Sequence, residues 1–251
     1  MTLPHSPIPW RGRTGREGPD GNTAPQPPAR DGTSLDVTRL VRALERTKRS
    51  AGRLPPAAGR DGPFPGYFSR STYASFRLDG LQTTEAEVAQ ALARGSAARA
   101  CRSRLAQRVR NHVAVLRHVE RLLRRGEPLQ ARHVIRWYTS IASGLSSGGI
   151  DDHSASRVSQ IVTTMNSPQM RLWPAVQEVA SLHVRLLADP FVPGFNGIMA
   201  RVLLRYHLGR CGLPPVVFNP ESDGPLLASE ATLLPRLLEV LSESYDRCVK
   251  T

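Results

Sequence analysis

Two stretches carry residue types at spacings from which chemistry can be built. The first, residues 72–88 (TYASFRLDGLQTTEAEV), holds Ser75, Asp79 and Gly80 ahead of a capping-box run. The second, residues 182–218 (LHVRLLADPFVPGFNGIMARVLLRYHLGRCGLPPVVF), sets Asp189, Gly194, Asn196 and Gly197 before an apolar helical run that contains Arg201. A helix opened by Asn196 and Gly197 presents free backbone N–H groups and the positive end of its dipole, which together make an anion site. The same residues also suit a plain helix–turn–helix corner. In that account Pro190 ends one helix, Pro193-Gly194 turns, and Asn196 caps the next. Asp79 then begins a turn with Gly80, and Arg201 sits on a solvated helix face.

Other chemistry finds little support. The chain has no GxxxxGK phosphate loop and no HExxH pair. His112, His118 and His133 share no metal-ligand spacing, and His183 lies on an apolar helical face, so each is expected to be a packed or surface histidine. No metal site is therefore expected. Cys101, Cys211 and Cys248 are odd in number and scattered, which provides neither a disulfide framework nor a zinc pattern. Arg102, Arg104, Arg108, Arg110, Arg117, Arg121, Arg124 and Arg125 load one helix with positive charge. No aromatic residues interleave with them for base stacking. A solvated outer face opposite Leu105, Val109 and Leu116 is the simpler account.

The elements that must position these residues read as helices. Thr84 to Glu87 has capping-box spacing and opens a helix through Val88, Ala91 and Leu92. Residues 101–125 give the longest candidate, stopped by Gly126 and Pro128. Further helices are expected over 129–143, around Val158 to Met165, from Val176 to Asp189-Pro190, over 199–210 and over 228–249. No alternating strand longer than four residues and no repeat is visible. The fold class is all-α: a helical domain over residues 67–251. Residues 1–66 read as a Pro/Gly/Arg-rich tail, disordered over 1–33, with one short helix at about 35–50 through Val37, Leu40, Val41 and Leu44.

Composition agrees. Of the 251 residues, 41 are Gly or Pro, and 20 of those fall in the first 66, so they mark the tail rather than a loop-rich domain. The formal net charge of +13 is carried by 32 Arg and 2 Lys. Such an excess permits binding to phosphates or nucleic acid. An Arg-for-Lys bias with abundant Ala, Gly and Pro is also what a GC-rich coding sequence produces without any partner. No stretch approaches the roughly 18 apolar residues of a membrane span, and residues 1–10 carry three prolines without an apolar signal-peptide core. A soluble, cytoplasmic protein without a membrane partner is expected.

Together and in this order, the two stretches resemble the Fic (Fido) family, over roughly residues 67–220. Active members transfer AMP from ATP to a hydroxyl side chain of a target protein. The family signature is HPFx(D/E)GNGRxxR. Against it, Asp189 stands for the His that acts as general base, and Pro190 and Phe191 match. Pro193 replaces the magnesium-holding carboxylate, and Gly194 matches. Phe195 is an extra residue, Asn196-Gly197 match, Ile198 replaces the phosphate-clamping Arg, and Arg201 retains the second Arg. The family's autoinhibitory motif, (S/T)xxxE(G/N), is similar to Ser75 through Asp79-Gly80, with Asp for Glu. The resemblance implies that Asp79 pairs with Arg201. It further implies a β-hairpin flap before the signature, where this chain offers a helical face.

The substitutions change the local charge by −1, +1 and −1. A bare Asp189 about 5 Å from a phosphate charge would cost on the order of 3 kcal/mol at an effective dielectric of ~20. The expectation is a catalytically degenerate Fic-like domain with a regulatory or protein-interaction role, and residual nucleotide or phosphate binding through Gly194, Asn196, Gly197 and Arg201. ATP is the nucleotide the resemblance implies, and magnesium has no ligand. Two alternatives stand beside this one. The first is an enzyme of altered chemistry using Asp189 as base on a nucleotide or phosphorylated substrate. The second is a nucleic-acid-binding protein.

Overall fold

The computed structural model describes residues 41–42, 44–46, 63–93, 103–145, 149–166 and 172–249. All of them belong to one compact unit spanning residues 33–251. The tail expected over residues 1–33 lies outside the described residues, as does most of the Pro/Gly break that follows the short helix.

The residues that follow Asn196 are apolar on every side of a helix, and such a helix has to be central. Asn196–Arg210 forms it, with Met199, Ala200, Val202, Leu203, Tyr206 and Leu208 all inaccessible to solvent. Around it stand α1 (Tyr67–Leu78), α2 (Glu85–Ala93), α3 (Arg104–Arg125), α4 (Ala131–Ala142), α5 (Asp152–Asn166), α6 (Leu172–Ala188) and α8 (Glu230–Val249), the central helix being α7. A 3-10 turn, Gly224–Ala228, precedes α8. Among the described residues there is no strand.

Local chemistry sets the helix ends. The α2 capping box forms as its spacing predicts: Thr84 N–H donates to Glu87 Oε2 at 2.9 Å, and Glu87 N–H to Thr84 Oγ1 at 3.2 Å. Ser103 caps α3, its hydroxyl accepting from Ala106 N–H at 3.1 Å, and Gly126 stops it. Asp151 caps α5 by accepting from Ser154 N–H at 2.8 Å. One expected cap differs. Asn196 is the first residue of α7 rather than its cap, because Phe195 takes the capping position without a side-chain bond.

Two apolar clusters share α7. The first half of the helix packs with Phe76, Val113, Leu116, Trp137 and Tyr138 from α1, α3 and α4. The second half, through Leu204 and Leu208, packs with Val176, Val179, Leu237 and Leu241 from α6 and α8. Residues 41–42 and 44–46 are helical, and Leu44 is fully buried in this second cluster. That segment therefore packs on the domain.

One charged pair lies inside. Arg205 of α7 donates to Glu120 of α3 through Nε (2.7 Å) and Nη2 (2.8 Å), with the two side chains 9% and 6% exposed. Both ends of the fork are met, which is the geometry that makes a buried ion pair tolerable. Glu120→Ala strands the guanidinium and should cost about 3–5 kcal/mol in urea denaturation. The double variant Glu120→Leu, Arg205→Met should recover most of that loss.

Candidate functional site

α1 ends where its sequence says it must. The Leu81 N–H reaches back to the Phe76 carbonyl and the Gly80 N–H to the Arg77 carbonyl, each at 2.9 Å, with Gly80 at φ +82°. A side chain at Gly80 would be strained in that left-handed conformation, so Asp79-Gly80 is the stop signal. The turn leaves the Asp79 side chain facing the start of α7.

Arg201 of α7 meets it there. Its Nε donates to Ser75 Oγ at 3.2 Å, and Nη2 donates both to the Ser75 carbonyl at 2.8 Å and to the Asp79 carboxylate. The Arg201 side chain is 9% exposed and that of Asp79 25%. The pair expected from the resemblance thus forms across 122 residues of chain. The solvated-face account of Arg201 does not hold.

Gly197, the second residue of α7, is where the carboxylate rests. A Cβ on Gly197 would stand 2.3 Å from Asp79 Oδ1 and 3.3 Å from Arg201 Nη1. The start of a helix favours an anion through its free N–H groups and dipole. Here the anion is the chain's own.

The loop between α6 and α7 is built for shape. The Asn196 Oδ1 accepts from Phe191 N–H at 3.0 Å, and its Nδ2 donates to the Leu186 carbonyl at 2.5 Å. These bonds stitch the last turn of α6 to the first residue of α7. Gly194 carries φ +73° and is exposed. The extra Phe195 is absorbed by packing its ring edge-on against Tyr138 of α4, 6.4 Å between centroids. Pro193 faces solvent without a donor atom, and Ile198 is buried.

Asp189 is placed apart from this group. Its side chain is 68% exposed and takes an ion pair from Arg157 of α5, whose Nη2 also donates to the Asp189 carbonyl at 3.2 Å. The hydrogen bond from Arg157 holds the Asp189 carboxyl below the usual carboxylate range. The charge count from the sequence needs correcting here, because Asp189 is not a bare negative charge. Asp189 and Arg201 have separate partners on α5 and α1. The span where a flap would lie is occupied by α5, with its Val158, Ile161 and Met165 buried.

A cavity of about 280 Å³ opens beside Asp79, bounded by Gly194, Phe195 and Ile198 on one side and by Arg108 and His112 of α3 on the other. The last two were not singled out as site residues from the sequence, although their i, i+4 spacing puts them on one helix face. His112 is buried, with its Nδ1 2.9 Å from Thr72 Oγ1. Burial, and then the Arg201 charge, push its pKa down to about 3. His183 of α6 is likewise pushed to about 3 by burial first and Arg201 second. Two neutral imidazoles therefore flank the guanidinium. The rest of α3 behaves as a solvated basic face: Arg104, Arg117, Arg121, Arg124 and Arg125 are exposed opposite buried Val109, Val113 and Leu116. No three His, Cys, Asp or Glu side chains converge among the described residues.

Comparison with solved structures places this architecture. Over 86% of the chain it is similar to Fic-1 (residues 134–508) from C. elegans, at 16% identity, a TM-score of 0.65 and 73% coverage of that chain. A Fic domain-containing signaling protein from Bacteroides thetaiotaomicron matches at 16% identity and a TM-score of 0.62, with 86% of this chain and 96% of that one covered. A Fic family protein from Desulfovibrio desulfuricans matches at 15% identity and a TM-score of 0.62, covering 86% and 75%. No protein-family model matches the chain, and no curated protein matches its sequence. The protein has the all-α Fic fold. No helix among the described residues is long and apolar enough to cross a membrane.

Two predictions follow from this geometry. Gly197→Ala drives a methyl group into the Asp79–Arg201 pair and should cost about 1–3 kcal/mol. In an Asp79→Ala background the same change should be neutral or stabilising by up to ~1 kcal/mol, since Ala is the better helix former. A double-mutant cycle in urea reads the coupling. The second prediction concerns pH. His112 and His183 stay neutral in the folded state while the unfolded chain protonates near 6.5. Stability is therefore whole above 6.5 and falls as pH drops toward 3, by ~3 kcal/mol per histidine two units below the unfolded value. Urea midpoints between about pH 7.5 and 5 check this, and the ring C–H shifts of both histidines should stay flat across that range.

Proposed function

We propose that this Fic-fold protein does not transfer AMP, and that it serves as a regulatory or protein-interaction domain. One observation carries the proposal: the Asp79 carboxylate lies on the bare backbone of Gly197 and is held by Arg201 and Ser75, where a phosphate would have to sit.

The residues present do not fit magnesium–ATP. The position that would hold the metal is Pro193, without a ligand atom, and the clamp position is Ile198, buried and apolar. The base position fares no better. Asp189 is exposed, ion-paired to Arg157 and shifted toward its charged form, which makes it a weak proton acceptor. The same facts weigh against an enzyme of altered chemistry built on Asp189. What survives for phosphate is the group of N–H donors at Asn196 and Gly197, and Asp79 competes for that place. Nucleotide affinity is therefore expected in Asp79→Ala rather than in the wild type.

The test uses the full chain. Radiolabelled ATP with magnesium should leave both the protein and a cell lysate unlabelled, and Asp79→Ala should not release labelling, because base and metal ligand are missing independently. Titration calorimetry should show ATP binding to Asp79→Ala at least tenfold tighter than to the wild type, equivalent to about 1.4 kcal/mol. Robust labelling by the wild type that vanishes in Asp189→Ala would overturn the proposal.

A further inference from the structure

We propose that the cavity between α1, α3, α4 and the loop that opens α7 is a binding site for a small organic monocarboxylate with an apolar body, held by Arg108 and His112. Neither residue belongs to the signature loop, but Gly194, Phe195 and Ile198 of that loop line the same cavity, so its occupant would sit beside the start of α7.

The cavity's size, about 280 Å³, lies at the small end of ligand sites, which run from roughly 300 to 1,000 Å³. Apolar side chains on its wall are Phe76, Leu81, Ile141, Leu145 and Ile198. Against them stand two buried nitrogens without a protein partner, Arg108 Nε and His112 Nε2. Both side chains line the cavity, one helical turn apart on α3. The His112 side chain is almost completely buried, at 1% exposure.

The hydrogen bond at the other ring nitrogen sets what His112 offers. When the Thr72 hydroxyl donates to Nδ1 (2.9 Å), the neutral ring carries its hydrogen on Nε2. The two orphan atoms are then both donors, one of them on a permanent cation. A buried donor left unmet costs stability, so the site calls for an acceptor. A guanidinium N–H beside a second N–H suits the two oxygens of a carboxylate. The apolar walls call for a hydrocarbon or aromatic body.

The cavity also selects against polyanions. Asp79 lies on its wall, and each further negative charge on a ligand would be repelled by that carboxylate. A monoanion needs only Arg108 and His112. A nucleoside polyphosphate would bring several charges, and a large body, into a small space.

The test follows the Arg108 Nε–H and His112 ring resonances of the full chain by NMR while phenylacetate is added. Saturable shifts are expected at both. Phenylacetamide, of the same shape but uncharged, should bind at least tenfold more weakly. Arg108→Gln should lose at least tenfold in affinity for phenylacetate, whereas Arg125→Gln, at an exposed position on the same helix, should lose nothing. Leu81→Trp, which fills the half-buried cavity wall, should abolish binding with Arg108 left intact, so the result does not hang on one variant folding. Three outcomes would overturn the proposal. One is the absence of saturable shifts with phenylacetate, benzoate and 3-methylbutanoate at about 10 mM, where even a millimolar site is mostly filled. Another is equal binding of the amide. The last is displacement of phenylacetate by inorganic phosphate or ATP at lower concentration, which would make the cavity a phosphate site.

Discussion

A helix buried on every side can carry a guanidinium only if its neighbours supply the partners, because an unpaired buried charge costs several kcal/mol. While Arg210 at its end is exposed, the central helix holds two inside the fold, Arg201 and Arg205, four residues apart. Each dictates where another element must stand. Arg205 takes both carboxylate oxygens of Glu120 and so fixes α3. Arg201 takes the hydroxyl and carbonyl of Ser75 and the carboxylate of Asp79, and so fixes the end of α1. The apolar clusters pack around these contacts and supply most of the favourable burial. Non-directional packing alone would tolerate α1 and α3 sliding by a fraction of a turn. The paired charges do not. The cavity between those two helices inherits its shape from this constraint.

The same contact decides what the start of α7 can do. Helix dipole, free N–H groups and Arg201 all favour an anion there, and Asp79 supplies one at no cost in translational freedom. An incoming anion would have to displace a tethered carboxylate and leave it beside its own charge. Gly197 belongs to the arrangement as much as the charges do. A side chain at that position would crowd the carboxylate and force it to shift.

Much of this was legible in the sequence, for reasons that differ from part to part. The helix ends were readable because caps and stops are local: Thr84 with Glu87, Asp79 with Gly80, and Gly126 each act within a few residues. The Asp79–Arg201 contact was not readable from spacing. It came through the likeness of two separated stretches to one family, since nothing in the chain itself links positions 122 apart. The Arg157–Asp189 pair escaped for the same reason, and its omission made Asp189 look like a free charge. Arg108 and His112 were set aside for another. On a helix loaded with arginine, a single half-buried one has no distinguishing signal, and a buried histidine reads as packing until the cavity beside it is known.

The loop before α7 shows how chemistry and geometry part company. Pro193 and Ile198 offer neither a metal ligand nor a charge, so those positions contribute only turn and packing. Asn196, by contrast, is fully employed, but on the Leu186 carbonyl and the Phe191 N–H rather than on an outside ligand. Those two bonds set where α7 begins, and a shift of one residue would carry Gly197 away from Asp79 and place a Cβ in its path. The inserted Phe195 could have caused that shift. It does not, because its ring finds Tyr138 and the surplus residue is taken up at the capping position. The loop therefore conserves the register of α7, and it is this register that lets Gly197, Asp79 and Arg201 meet.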